Sequence, residues 1–151
     1  MSLEGMPDPV REVIDGYPPE ARVGVLALRR LIFDVANRSS EVGPLDETLK
    51  WGQPAYLPRR PRTGSPLRIG LHKEALFALF AHCQTTIISS YVETFPAWDR
   101  CDGNRAVLFD APGEVEPERL SHLIRHALTY HLRSPQSAVR NSPGAALERQ
   151  G

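Results

Sequence analysis

Apolar residues recur at helical spacing in two long segments of the chain. Between residues 19 and 36 they return every three or four positions, which is the period of a helix that buries one face. A second such segment runs from Pro117 to about Leu132, and proline is favoured in the first turn of a helix. Shorter helices are predicted over residues 8–16 and 87–95. The pattern therefore predicts helices near both ends and one in between.

Strand patterns occupy the region between the helices. Residues 67–72 alternate between apolar and polar, and residues 105–110 follow a turn. Residues 75–81 are apolar on both faces, which predicts a central strand covered on both sides. We expect residues 47–57 to form one strand that bends at Gly52 and Pro54. The fold class is thus α+β: a two-layer structure with an antiparallel sheet of about five strands packed by helices, in the order helix–strands–helix–strand–helix.

The length of 151 residues fits a single domain. We expect the α+β domain to span residues 18–132. Residues 1–17 would form an N-terminal extension that carries the first short helix. Residues 133–151 are rich in Ser, Pro, Gly, Ala and Gln, which predicts a flexible C-terminal tail.

Charge and composition argue against several classes of partner. The chain has 18 Lys and Arg against 18 Asp and Glu, so no overall field attracts nucleic acid or an anionic membrane. No apolar run approaches the roughly 20 residues of a membrane span, and no signal peptide is evident. Cys83 and Cys101 are either reduced thiols or one bridge. A soluble cytoplasmic protein is expected.

Two aromatic residues and three cations suggest a binding site for a small anion. Trp51 and Tyr56 flank the expected bend, and the neighbouring strands carry Lys50, Arg68 and Arg105. If those strands lie close together, the cations surround an anionic molecule beneath the two aromatic rings, as a ligand pocket requires. The alternative is that the aromatics belong to the core and the cations face solvent.

Catalytic and metal sites have less support in the sequence. His122 and His126 are four residues apart on the last helix, which places both rings on one face. They are candidate metal ligands, but no third ligand is evident, which favours two solvated histidines. No residue is assigned a catalytic role and no cofactor is expected, so the sequence favours a binding module over an enzyme.

A second apolar patch on the long first helix suggests a homodimer. Val23, Leu26 and Phe33 lie nearly opposite the main apolar stripe of that helix. A helix that buries one face does not need such a patch. It would therefore contact either the segment 8–16 or a second copy of the chain.

A resemblance to a known family rests on several stretches taken together. These are the run Glu47-Thr-Leu-Lys-Trp-Gly-Gln-Pro-Ala-Tyr56, the strand Pro66–Leu71, the apolar strand after it, the segment Gly103–Val107 and the final helix. Together they resemble the YdhG-like family (domain-of-unknown-function family 1801), which is also called frataxin-like or iron-chaperone-like. The likeness covers roughly residues 18–132 and implies a small two-layer α+β domain without an established catalytic centre.

The iron-chaperone label implies a metal-handling function as the alternative to small-molecule binding. Frataxin-type iron handling is associated with an acidic ridge on the first helix and the neighbouring strand. Here the corresponding helix carries Glu20 and Asp34 among several arginines. Iron sites built from oxygen ligands need clustered carboxylates, so the chain departs from this feature of the family.

Overall fold

A computed structural model describes residues 5–132 of the chain. The tail expected at residues 133–151 lies outside these described residues. The helices are α1 Asp8–Asp15, α2 Pro19–Asn37, α3 Ile87–Thr94 and α4 Pro117–Leu128, with a short 3-10 turn at Pro112–Glu114. The strands are β1 Leu45–Lys50, β2 Gln53–Pro58, β3 Leu67–His72, β4 Ala75–Ala81, β5 Arg100–Asp102 and β6 Ala106–Phe109. The α+β class is confirmed.

One antiparallel sheet contains all six strands, in the order β1-β2-β3-β4-β6-β5. The strand count exceeds the expected five, partly because residues 47–57 form two strands and not one bent strand. Lys50 pairs with Gln53 across a two-residue turn made of Trp51 and Gly52. Both turn residues have positive φ, 56° and 74°, as in the tight turns that match the twist of a hairpin. The expected bend is therefore a complete reversal of the chain.

The helices pack on one face of this sheet. The main core joins their buried residues to alternate residues of the strands, among them Tyr56, Phe77 and Phe109. Helix α2 lies very close to β4, because a Cβ added at Gly24 would come within 2.2 Å of the Phe77 ring. Helix α1 contributes Val10 and Ile14 to the same core.

The second face of the sheet is covered by side chains of the sheet itself. A separate apolar cluster contains only strand residues: Ala78, Ala106 and Leu108, with Ala75 and Phe80 packed against them. The His72 ring stacks on Phe80 with 6.1 Å between centroids, and the guanidinium carbon of Arg68 lies 5.1 Å from the centroid of the same ring. Strand β4 is central, as expected, but a helix covers one of its sides and flat-lying side chains cover the other. We call this second surface the open face.

The loop between β2 and β3 fastens the last helix to the sheet. The backbone N–H of Ser65 donates to the carbonyl of Ala127, and that of His131 donates to the carbonyl of Thr63. A Cβ at Gly64 would lie 2.4 Å from the carbonyl oxygen of Leu128, so only glycine allows this approach. Helix α4 ends at Leu128, beside this contact, and not near residue 132 as expected.

The arginines of the same loop are largely used within the molecule. Arg59 donates to Asp46 at 2.9 Å, and Arg60 donates to the backbone carbonyls of Ser40 and Glu41. Two of the three arginines of this loop therefore bond to other parts of the molecule.

Candidate ligand-binding site

The five residues predicted to share a pocket are not brought together as a set, although Lys50 and Arg68 share one face of the sheet, with Gln53 between them. Trp51 is 88% exposed at the hairpin turn, whereas Tyr56 is fully buried on the helix-covered face. Arg68 pairs with Ala55, the neighbour of Tyr56, and therefore points to the open face, because successive residues of a strand face opposite sides. Lys50 shares that open face by register, and Arg105 is exposed in the β5–β6 turn, three strands away from β2. The predicted pocket is thus not formed.

Tyr56 belongs to a buried cluster with two charged residues. Arg29 on α2 donates to both carboxylate oxygens of Glu47 at 2.6 and 2.9 Å, and the Tyr56 hydroxyl donates to the same carboxylate at 2.7 Å. The side chains of Arg29 and Glu47 are only 3% and 6% exposed. Burial, and then the nearby carboxylate, raise the pKa of the Tyr56 hydroxyl, while the bond to Glu47 raises the pKa of Arg29. With each charge paired, the cluster ties the hairpin to α2.

A second cluster of one arginine, one carboxylate and one tyrosine lies at helix α4. Arg119 on α4 donates to Asp99 at 3.0 Å and 3.3 Å, and the Tyr91 hydroxyl donates to the same carboxylate. Burial, followed by the bond to Asp99, raises the pKa of Tyr91, and the bond to Asp99 raises that of Arg119. In the first cluster Phe33 covers the arginine; here Trp98 does so, with 4.9 Å from the guanidinium carbon to the ring centroid. The difference is that Trp98 stays 64% exposed.

Trp98 stands at the edge of a groove of about 770 Å³ along the outer face of α4. We call this the α4 groove. Its lining residues are Arg38, Phe95, Trp98, Glu116, Glu118, Arg119, Ser121, His122 and Arg125. Arg38 comes from the end of α2, Phe95 and Trp98 from the loop after α3, and the others from the start and middle of α4. Three separate segments of the chain therefore build one concave surface.

Some charged groups of the α4 groove are paired within the protein and others are not. Arg119 is held by Asp99, and Glu116 accepts the backbone N–H of Arg119 at 2.9 Å, which caps the helix. In the described part of the chain, Arg38 and Arg125 have no side-chain hydrogen bond or ion pair. Two guanidinium groups thus remain for a ligand, opposed among the lining residues by the carboxylate of Glu118.

Sequence reasoning missed this groove for a physical reason. Its residues lie in segments whose proximity depends on how α2, α3 and α4 pack, and no local periodicity encodes that. One local signal was present, namely a large aromatic in the proline-containing loop after a helix. The backbone there is unusual, since Ala97 has a φ of 64°, a region that non-glycine residues rarely occupy.

The two candidate histidines of α4, His122 and His126, each pack against an aromatic ring. The His122 ring packs against Phe95 and the His126 ring against Tyr130, each with 5.4 Å between centroids. Burial lowers the pKa of His126. Within residues 5–132, no group of three or more His, Cys, Asp or Glu side chains is arranged to hold a metal ion.

The structure also places the two cysteines and the apolar patch on α2 that predicted a homodimer. Cys83 and Cys101 are both free thiols, and burial raises the pKa of Cys101.

Leu26 and Phe33 pack against the main core, while Val23 is 58% exposed. Most of the patch is therefore used within one chain, and the homodimer stays a prediction.

Comparison with known proteins adds no relative to this picture. Among the described helices, none has the length and apolar character needed to cross a bilayer. The chain matches no protein-family model, no curated protein and no solved structure.

Proposed function

We propose that this protein is a non-catalytic binding module that takes up a small organic anion with a flat apolar part in the α4 groove. The observation that carries the proposal is Trp98, which is 64% exposed and yet held in place over the guanidinium of Arg119. An aromatic ring fixed at the edge of a groove offers a stacking surface that loses little side-chain entropy when a ligand binds.

The size and lining of the α4 groove support this type of ligand. A volume of about 770 Å³ falls within the range of small-molecule sites, which combine apolar surface with a few polar groups that fix orientation. Phe95 and Trp98 supply the apolar surface. Arg38 and Arg125 supply positive charge in the fork geometry that suits carboxylate and phosphate groups.

A fluorescence experiment tests the proposal, because the chain has only two tryptophans. In a Trp51→Phe variant the sole remaining tryptophan is Trp98. The probe is 8-anilino-1-naphthalenesulfonate, a planar aromatic anion that accepts energy from excited tryptophan. We expect saturable energy transfer in Trp51→Phe and little in Trp98→Phe. A panel of small aromatic carboxylates and phosphates is then screened for displacement of the probe.

Charge variants show whether the arginines of the groove take part. Arg38→Gln and Arg125→Gln should each weaken probe binding by about two- to fivefold, since exposed ion pairs contribute at most about 1 kcal/mol. Arg30→Gln is the matched control, because Arg30 is an exposed arginine of α2 outside the groove. Equal affinities in all three variants, or equal energy transfer from Trp51 and Trp98, would contradict the proposal.

We also propose that the chain is a YdhG-like protein, and the roles of the motif residues support treating the motif as a mark of the fold. Glu47 and Tyr56 are directly opposite each other in the hairpin and joined by a hydrogen bond. Gly52 completes the turn and Gln53 bonds to Arg68. Each of these residues forms a turn or a hydrogen bond within the fold. A resemblance to the family in this run therefore supports a shared structure more than a shared chemistry.

A further inference from the structure

Arg68 differs from the two buried arginines in what surrounds it. Arg29 and Arg119 are each neutralised by a buried carboxylate. Arg68 is partly buried on the open face, and its contacts are the side-chain oxygen of Gln53 and the ring of Phe80. No carboxylate among residues 5–132 lies within ion-pair distance of it. Burial without a counter-charge lowers the pKa of this guanidinium.

The position is held by a framework of neighbouring side chains. Gln53 lies across the backbone of Gly70, where an added Cβ would come within 2.8 Å of its amide nitrogen. Lys50 is the direct cross-strand partner of Gln53 and shares its face. His72, which stacks on Phe80, is itself bonded to Asp102 at 3.1 Å. The ring nitrogen Nδ1 of His72 accepts the backbone N–H of Glu74, so its Nε2 carries the proton given to Asp102.

Such an arrangement is unfavourable unless something else supplies negative charge. A partly buried cation loses favourable hydration free energy. A hydrogen bond to a neutral amide and a contact with an aromatic face compensate only part of this loss. A methionine or leucine would cover Phe80 without that penalty. Residues that lower stability in this way are characteristic of binding sites.

We infer that Arg68, oriented by Gln53 and assisted by Lys50, binds a small oxyanion, a carboxylate or a phosphate group, on the open face of the sheet. This site is separate from the α4 groove and does not depend on the function proposed there. The fork of the guanidinium matches two oxygens of either group, and the absence of a side chain at Gly70 gives Gln53 the room to hold Arg68 in this orientation.

Thermal denaturation of the full chain tests the inference with two probes, inorganic phosphate and acetate, at constant ionic strength. Binding to the folded state raises the Tm by an amount set by the ratio of anion concentration to Kd. At tenfold the Kd of the anion, we expect a rise of about 4 °C in the wild type. Phosphate also stabilises proteins in general by exclusion from their surface, so the quantity compared is the difference from the Arg68→Met variant.

Arg68→Met should lose this specific rise and, without anion, should melt at or above the Tm of the wild type. Arg30→Met, which removes an exposed arginine of α2, should keep the full rise. The same rise in wild type and Arg68→Met would overturn the inference. The response to phosphate compared with acetate identifies which oxyanion is preferred.

A second measurement covers the case in which Arg68→Met folds poorly. In the wild type, the side-chain NMR signals of Arg68 and Gln53 should shift together and saturably as the preferred anion is added. Signals that stay in place would refute the site. The probe titration of Trp51→Phe is carried out without phosphate or acetate and reports on the α4 groove, which separates failure here from failure of the proposed function.

Discussion

Replacing Glu47 by glutamine should remove a large part of the stability of the fold. The carboxylate is 6% exposed and accepts hydrogen bonds from Arg29, itself 3% exposed, and from Tyr56. Without it, the guanidinium remains buried with no counter-charge. Breaking a buried ion pair in this way costs about 3–5 kcal/mol. Since a domain of this size is stable by about 5–15 kcal/mol, the variant should be near the limit of folding at elevated temperature.

Three further variants define the origin of that loss. Tyr56→Phe keeps the ion pair and removes one hydrogen bond to a charged group, at a cost of about 1.5–3 kcal/mol. The triple variant Arg29→Met, Glu47→Leu, Tyr56→Phe removes every polar group of the cluster. Because desolvation then disappears together with the attraction, its stability should return close to that of the wild type. Asp46→Asn is the matched control, since it breaks an ion pair whose partners are 64% and 49% exposed and should cost less than about 1 kcal/mol.

Urea denaturation followed by circular dichroism at neutral pH measures these differences. A shift of the midpoint with an unchanged slope reports a change in stability alone. The reasoning is refuted if Glu47→Gln costs less than about 1 kcal/mol, or if the triple variant is as unstable as the single one.

Two other predictions concern the hairpin turn and alkaline pH. Trp51→Asn should raise the stability by about 1 kcal/mol, because asparagine tolerates a positive φ better than tryptophan and little packing is lost at an 88% exposed position; a lower Tm would contradict this. Tyr56 and Tyr91 have pKa values raised above the ordinary 10.0, so their contribution is complete below about pH 10 and is lost as the pH rises toward the folded-state values. The urea midpoint should therefore begin to fall only as the pH rises above about 10, and should fall less in Tyr91→Phe; identical pH profiles would argue against buried tyrosines as the cause.

Helices α2 and α4 could be predicted because their information is local. The spacing of apolar residues and the prolines at their starts are visible in short windows of sequence. The alternation in β3 and the composition of β4 were equally local. The hairpin was harder to recognise, because tryptophan in the first position of such a turn contradicts the usual preference for Asn, Asp or Gly.

The predicted pocket failed at the level of strand register. Tyr56 and Arg68 would share a face only if the two strands were aligned differently by one residue, since a slip of one residue exchanges the faces. The observed pairing of Tyr56 with Leu67 directs Tyr56 to the helices and Arg68 away from them. That pairing follows from the whole sheet, so no pattern within residues 47–72 could reveal it.

The contact between the β2–β3 loop and the end of α4 closes a long loop of the chain. Ser65 and Thr63 are bonded to Ala127 and His131, so the chain between them begins and ends at the same place. Bringing distant residues together costs an entropy that grows only slowly with the length enclosed, about 0.6 kcal/mol for each doubling. The two bonds therefore close β3, β4, α3, β5, β6 and α4 into one ring of chain without a covalent link.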